Sequence, residues 1–227
     1  MKPLLTWLVK QLMLRSMRST FAEVRWVTPL PELPRDRPLI LYANHHSFYD
    51  GYLLWLIADH WQGRRPLMWM AEWDRMPIFA MVGTHPFPPD DARRRAATLR
   101  RTVRTFREDS SAALGYFPEG RLHPPEESVL HFDTSFMSRM DRLFPEKYWW
   151  PIGIHLTWRT SSKPVACVGG GDFHATVTGN EVDTLRKTLQ TVREQSVTHG
   201  HLLLQGSKDA NSRWNFGALR RLFARYL

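Results

Sequence analysis

A single cysteine, Cys167, stands in 227 residues, so no disulfide can form within the chain and nothing points to an oxidising compartment. Long apolar runs are also missing. The opening Leu4-Leu5-Thr6-Trp7-Leu8-Val9 is cut by Lys10, Leu53 to Ala58 is equally short, and neither approaches the roughly 18 residues of a membrane-crossing helix. No small-residue cleavage site follows the first run, which argues against a signal peptide and predicts an intracellular chain that keeps its amino terminus. There is no glycine/serine-rich linker, internal repeat, low-complexity tract or cysteine cluster for structural zinc. One domain over residues 29–227 is expected, preceded by a helix within 1–28 that either docks on the body or lies at a lipid interface.

Negative charge is in short supply: 22 Asp and Glu face 31 Lys and Arg, for a net charge of +9. A field of one sign concentrates its counterion, so an anionic partner is expected: nucleic acid, an anionic membrane surface or a phosphate-bearing small molecule. Lysine is scarce as well, 6 against 25 arginines; that ratio suits forked contacts to phosphate or carboxylate and equally reflects biased base composition. No nucleic-acid-binding module is recognisable, and nucleic acid is not among the expected partners.

Periodicity and turn signals place strands at 39–43, 67–71, 112–117, 148–156 and 165–168, with helices between them, an order that favours an α/β sheet sandwich. Residues 4–18 read as a helix that is apolar nearly all round. Ser47-Phe48-Tyr49-Asp50 fits a capping box, so a helix is expected from Ser47, turning Leu53, Leu54, Leu56 and Ile57 inward. A helix or tight turn is expected around Met76 to Val82, and a break at Gly83-Thr84-His85-Pro86. Asp90-Asp91 open a basic amphipathic helix with Ala92, Ala96, Leu99, Val103 and Phe106 inward and Arg93, Arg94, Arg95, Arg100, Arg101, Arg104 and Arg107 mostly outward. Pro151 predicts a strand end or sheet edge. A helix from Asn180 presents Val182, Leu185, Leu189 and Val192, and a last basic helix presents Leu219, Leu222, Phe223 and Tyr226.

The apolar run Leu39-Ile40-Leu41-Tyr42-Ala43 ends in Asn44-His45-His46-Ser47-Phe48-Tyr49-Asp50, which delivers a histidine and a carboxylate to the carboxyl end of a buried strand. Histidine has the pKa nearest cellular pH, so His45 is the candidate general base; Asp50, accepting from its other ring nitrogen, would fix the tautomer and stabilise the imidazolium. Asn44 and Ser47 would shape the turn. The bland alternative is that Asp50 only completes the capping box while both histidines fill a polar turn. Phe117-Pro118-Glu119-Gly120-Arg121 puts a second carboxylate and a guanidinium on a turn after another strand, where the arginine can hold phosphate and the glutamate can orient it or bind a hydroxyl.

Taken in order, Asn44-His45-x-Ser47-x-x-Asp50, Phe117-Pro118-Glu119-Gly120 and the Pro151-Ile152 stretch resemble the motifs of the glycerolipid acyltransferase family of the lysophosphatidate acyltransferase type, across roughly residues 35–170. The resemblance implies a mixed, partly parallel sheet flanked by helices and a peripheral or monotopic place on the cytoplasmic face of a membrane. It also implies transfer of a fatty acyl group from acyl-CoA or acyl carrier protein, as co-substrate rather than cofactor, to a lipid hydroxyl. His45 and Asp50 would be catalytic; Asn44, Ser47, Phe117, Pro118, Glu119, Gly120, Arg121 and Pro151 would line the substrate. Two positions depart from the family. Gly83-Thr84-His85-Pro86-Phe87-Pro88-Pro89 lacks the arginine usual for glycerol phosphate, and Arg121 follows Gly120 directly where the family continues Thr-Arg or Ser-Arg. With the chain's compact length, this points to a specialised acceptor such as a lyso-aminolipid, a glycosylated lipid or a pigment alcohol.

Two other readings compete. One is a metal-dependent hydrolase using His45, His46 and Asp50 with a remote His85, His123 or His155, although no second ligand pair at metal-like spacing is evident and no metal is expected. The other is a non-catalytic basic protein of the membrane surface.

Overall fold

A computed structural model describes residues 2–32, 34–144, 146–197 and 200–207. In chain order the elements are α1 (Lys2–Thr20), β1 (Glu23–Trp26), β2 (Leu39–Ala43), α2 (Asp50–Trp55) with a π-helical continuation (Leu56–Trp61), and β3 (Arg65–Met70). A 3-10 stretch (Pro77–Val82), β4 (Thr84–Pro86), α3 (Ala92–Glu108), β5 (Ala112–Tyr116) and α4 (Ser135–Leu143) follow. The chain then forms β6 (Tyr148–Thr157), β7 (Val165–Gly170), α5 (Glu181–Gln195) and β8 (His201–Gln205). The eight strands make one sheet in the order β4-β3-β5-β2-β6-β7-β1-β8. Pairing is parallel except for β6–β7 and β1–β8. This is the mixed α/β sheet flanked by helices expected above.

All five residues of β2 are buried, as a strand covered on both faces requires. Leu39, Leu41 and Ala43 face a core shared with Val9, Met13, Leu14 and Met17 of α1 and Leu53 to Ala58 of the α2 segment. Ile40 and Tyr42 face a second core containing Phe106 of α3, Met137 and Met140 of α4, and Leu185 and Leu189 of α5. Thus α1 and α2 cover one face of the sheet, and α3, α4 and α5 the other. Val182, Leu185, Leu189 and Val192 are buried on α5, as their spacing predicts. The α1 helix docks through one side only: Leu4, Leu5, Trp7, Leu8 and Leu12 remain 41% to 61% exposed. No helix among the described residues is long and apolar enough to cross a membrane.

Several expectations need correction. Pro151 sits mid-strand on β6, opposite Tyr42 of β2, in the middle of the sheet rather than at an end or edge. Gly171 N–H donates to Pro151 O at 3.1 Å, and the donor that proline lacks is replaced by Trp150, whose Nε1–H donates to Gly171 O at 3.0 Å. The break at 83–86 contains a short edge strand, β4, paired with Met68, Trp69 and Met70. Its approach depends on Gly83, at φ +93°, where a Cβ would stand 2.0 Å from Pro66 O. On α3 the buried stripe is Thr98, Thr102, Thr105 and Phe106, while Ala92 is exposed and Ala96, Leu99 and Val103 are half-buried. The threonines are accommodated because Thr98 donates to Pro86 O at 2.6 Å and Thr102 to Thr98 O at 3.0 Å. Elements β1, α4 and β8 had no counterpart in the sequence reading. The last basic helix, with Leu219, Leu222, Phe223 and Tyr226, lies outside the described residues.

Candidate active site

The chain leaves β2 at Ala43 and wraps around the Asp50 carboxylate. Asp50 is fully buried, and its Oδ2 accepts from His45 Nδ1 at 3.1 Å, His46 N at 2.7 Å and Ser47 N at 2.8 Å. These contacts explain why the regular helix begins at Asp50, three residues later than the capping pattern predicts: the N–H groups of the turn point at the carboxylate. The Ser47 N–H to Asp50 Oδ2 contact is one half of the expected capping exchange; Ser47 Oγ, due to meet Asp50 N, accepts from Tyr49 N at 3.1 Å instead. Asp50 Oδ1 is buried without a partner among the described residues, so the carboxylate's hydrogen bonding is concentrated on the oxygen facing His45. A carboxylate only accepts, which assigns the proton to His45 Nδ1 and leaves the Nε2 lone pair unspent. The His45 ring stacks on Phe117, with centroids 4.0 Å apart and planes 13° apart, and its side chain is 21% exposed.

Behind this pair lies Glu119. Gly120, at φ +71°, allows the turn after β5 in which Gly120 N–H donates to Phe117 O at 3.2 Å, aiming Glu119 back under the histidine loop. Its Oε2 accepts from His45 N at 2.6 Å and its Oε1 from Leu130 N at 2.8 Å. His123 Nε2 lies 2.9 Å from Oε1, at ion-pair distance but off the hydrogen-bond direction. Both side chains are at most 1% exposed. His123 N–H also donates to His45 O at 3.2 Å, so the backbone of His45 is held at both its N–H and its C=O. Glu119 is therefore committed to the protein, and its contact is with the loop that carries His45.

Asn44 and His46 tie that loop to its surroundings. Asn44 bridges to β6 by accepting from Ile154 N and donating to Ile154 O, both at 2.9 Å, and its amide also donates to His46 Nδ1 at 3.1 Å. His46 Nε2–H donates to Ser128 O at 2.6 Å. One ring nitrogen accepts and the other donates, which defines a neutral imidazole. Burial, the largest effect, pushes the His46 pKa below its usual value in the same sense, aided by the nearby His123. With both nitrogens committed, His46 has no lone pair to offer a metal.

His45 and Phe117 stand at the wall of an apolar cavity of about 250 Å³ that runs between α2 and β3. Met13 of α1, Gly51 and Trp55 of α2, Met68 of β3 and Phe79 line it, with Glu72 and Leu122 also contributing. Met13, which the sequence reading did not single out, makes α1 part of the cavity wall. Thr20 of the same helix donates to Tyr49 Oη at 2.7 Å, one residue from Asp50, and Lys10 pairs with Asp59 at 2.6 Å.

The structure therefore brings together Asn44, His45, Ser47, Asp50, Phe117, Pro118, Glu119 and Gly120. Arg121 is exposed and makes no ion pair or hydrogen bond among the described residues. Pro151 lies in β6 and does not line the cavity. Of the remote histidines, His123 joins the site. His155, half-buried, has its pKa lowered by burial and then by Arg193 and His46, whereas His85 is held near Arg65 and Arg101. His123 carried one sequence signal, its place four residues after Glu119. Ser128 O and Leu130 N, which act through the backbone, carried none.

A family model described as Acyltransferase matches residues 26–155, more than half of the chain and spanning both clusters. No curated protein matches.

Proposed function

Because the chain belongs to the acyltransferase family, we propose that it moves a fatty acyl group from an acyl thioester to a lipid hydroxyl, with His45 as general base. The observation carrying this reading is a histidine Nε2 that has no partner among the described residues, on a ring whose Nδ1 is held by a buried aspartate, at the wall of an apolar cavity. The acceptor oxygen attacks the acyl carbonyl carbon as Nε2 takes the hydroxyl proton, and Asp50 stabilises the imidazolium. The intermediate collapses with cleavage of the C–S bond, and the imidazolium returns the proton to the departing thiolate. The products are an ester and a free thiol. Backbone N–H groups at the loop would meet the oxyanion. The scheme uses no cofactor; acyl-CoA or acyl carrier protein is the co-substrate.

The cavity suits the acyl chain, since its methionines adapt to a flexible aliphatic ligand. Arg121, exposed and without a partner among the described residues, is the cation at hand for an anionic acceptor headgroup. Glu119 and His123 act as positioning residues beneath His45. The exposed apolar side of α1, with Arg15 and Arg18 also exposed, supports peripheral attachment to an anionic membrane at its cytoplasmic face.

The test incubates purified protein with acyl-CoA or acyl carrier protein and a lipid extract, following thiol release and labelled acyl products for the wild type and His45→Ala. Acceptor-dependent release that disappears in the variant, with a new acylated lipid, is the expected result. No transfer from either donor by folded, membrane-bound protein would overturn the reading in favour of a non-catalytic surface protein.

A further inference from the structure

The seven arginines and one glutamate of α3 carry six of the chain's nine net positive charges in 17 residues. Two of these arginines are spent: Arg94 forks onto Asp74 at 2.6 and 2.8 Å, and Arg95 holds the carbonyls of Pro88 and Pro89. Arg93, Arg100, Arg104 and Arg107 are exposed and have no hydrogen-bond or ion-pair partner among the described residues. At 3.6 residues per turn these four fall within an arc of roughly 60° and run about 21 Å along the helix. Arg142 of the adjoining α4, also exposed, extends the field next to the Phe106–Phe144 contact at 5.0 Å.

Three observations narrow the partner. The stripe lies across the sheet from α1, so a bilayer that takes up the apolar side of α1 does not seat the arginines of α3. It runs along the exposed side of the helix, where spread arginines suit an extended acidic surface better than the compact phosphates of a nucleotide. Its first turn adjoins the cavity rim: Arg94 binds Asp74 and lies over the Trp73 ring at 5.9 Å, and the segment includes Glu72 and Met76 of the cavity wall. We infer that α3 is the docking surface for an acidic acyl carrier protein, seated along Arg93, Arg100, Arg104 and Arg107 so that its thioester-bearing arm passes over residues 72–76 into the cavity. This rests on the acyl-thioester reading above and names the donor.

The test measures anisotropy of a labelled acyl carrier protein titrated with wild-type protein and with Arg100→Glu/Arg104→Glu/Arg107→Glu at low and physiological salt. Thiol release from acyl-CoA is followed in parallel. Wild-type affinity should fall steeply with salt, and the reversal should weaken it by about 30-fold or more while acyl-CoA turnover stays within about two-fold. Arg→Lys at the same positions keeps the charge and should retain most of the binding. Equal binding by wild type and reversal, or no binding at low salt, overturns the inference. So does a reversal that loses binding to anionic vesicles but keeps the carrier. If the wild type turns over neither donor, the acyl-transfer reading fails separately, and the anisotropy still decides the surface.

Discussion

Glu119→Gln tests the support beneath His45 with almost no change in shape. The carboxylate meets two backbone donors, His45 N at 2.6 Å and Leu130 N at 2.8 Å, one on each oxygen. Whichever way a glutamine amide is turned, its NH₂ group faces one of those N–H groups. One charge-assisted hydrogen bond is lost, worth about 1.5–3 kcal/mol, and a buried donor is left facing a donor, which costs about 1–3 kcal/mol more. His123 Nε2, 2.9 Å from Oε1, also loses its contact with a carboxylate. A net loss of about 3 kcal/mol lowers the Tm of a chain this size by about 6–12 °C. Because the displaced N–H belongs to His45 itself, acyl transfer should fall as well, with the loss in kcat rather than KM. Thermal and urea unfolding with steady-state thiol release measures both. A Glu119→Gln protein with wild-type midpoint and kcat would refute the assignment of Glu119 as the support of the histidine loop.

Asp50→Asn presents an amide to three donors and removes the charge proposed to stabilise the imidazolium; kcat should drop by about 10³–10⁴ with the cavity intact, and an unchanged rate would exclude Asp50 from the base's support. His85 gives a pH signature: burial, then Arg101 and Arg65, push its pKa from 6.5 down to about 4. The unfolded chain takes up that proton first, so the stability is whole above pH 6.5 and is lost as pH falls toward 4, by roughly 3 kcal/mol; urea midpoints should show less acid loss in His85→Gln, and an identical pH dependence would refute this. Gly51 lines the cavity with only Met68 Cε near a built Cβ, at 3.8 Å, so Gly51→Ala should fold normally and Gly51→Leu should favour shorter acyl chains in competition assays with mixed acyl donors. An unchanged chain-length profile would place the acyl chain elsewhere.

What could be read from the sequence depended on whether the cause was local. The β2 run and the five-residue step from His45 to Asp50 were legible because burial and turn geometry act within one short segment. The start of α3 was legible because Asp91 caps it, accepting from Arg94 N at 2.9 Å. Its buried face was not: polarity alone sets threonine outside, and only the fold supplies Pro86 O for Thr98 and the Trp69 indole, 3.2 Å from Thr102 Oγ1. The same limit applies to Pro151, whose missing donor is replaced by the Trp150 side chain. Glu119 was recognised as part of the site, but its direction was hidden, because its partners, His45 N and Leu130 N, are backbone groups.

The α1 helix has a practical consequence for anyone handling this protein. Its exposed leucines and Trp7 invite trimming of the first 20 residues to improve solubility. That cut would also remove Met13 from the cavity wall, the Thr20 hydroxyl from Tyr49 and the Lys10 partner of Asp59. A trimmed protein that stays in solution but does not turn over would report a breached enzyme rather than a missing activity.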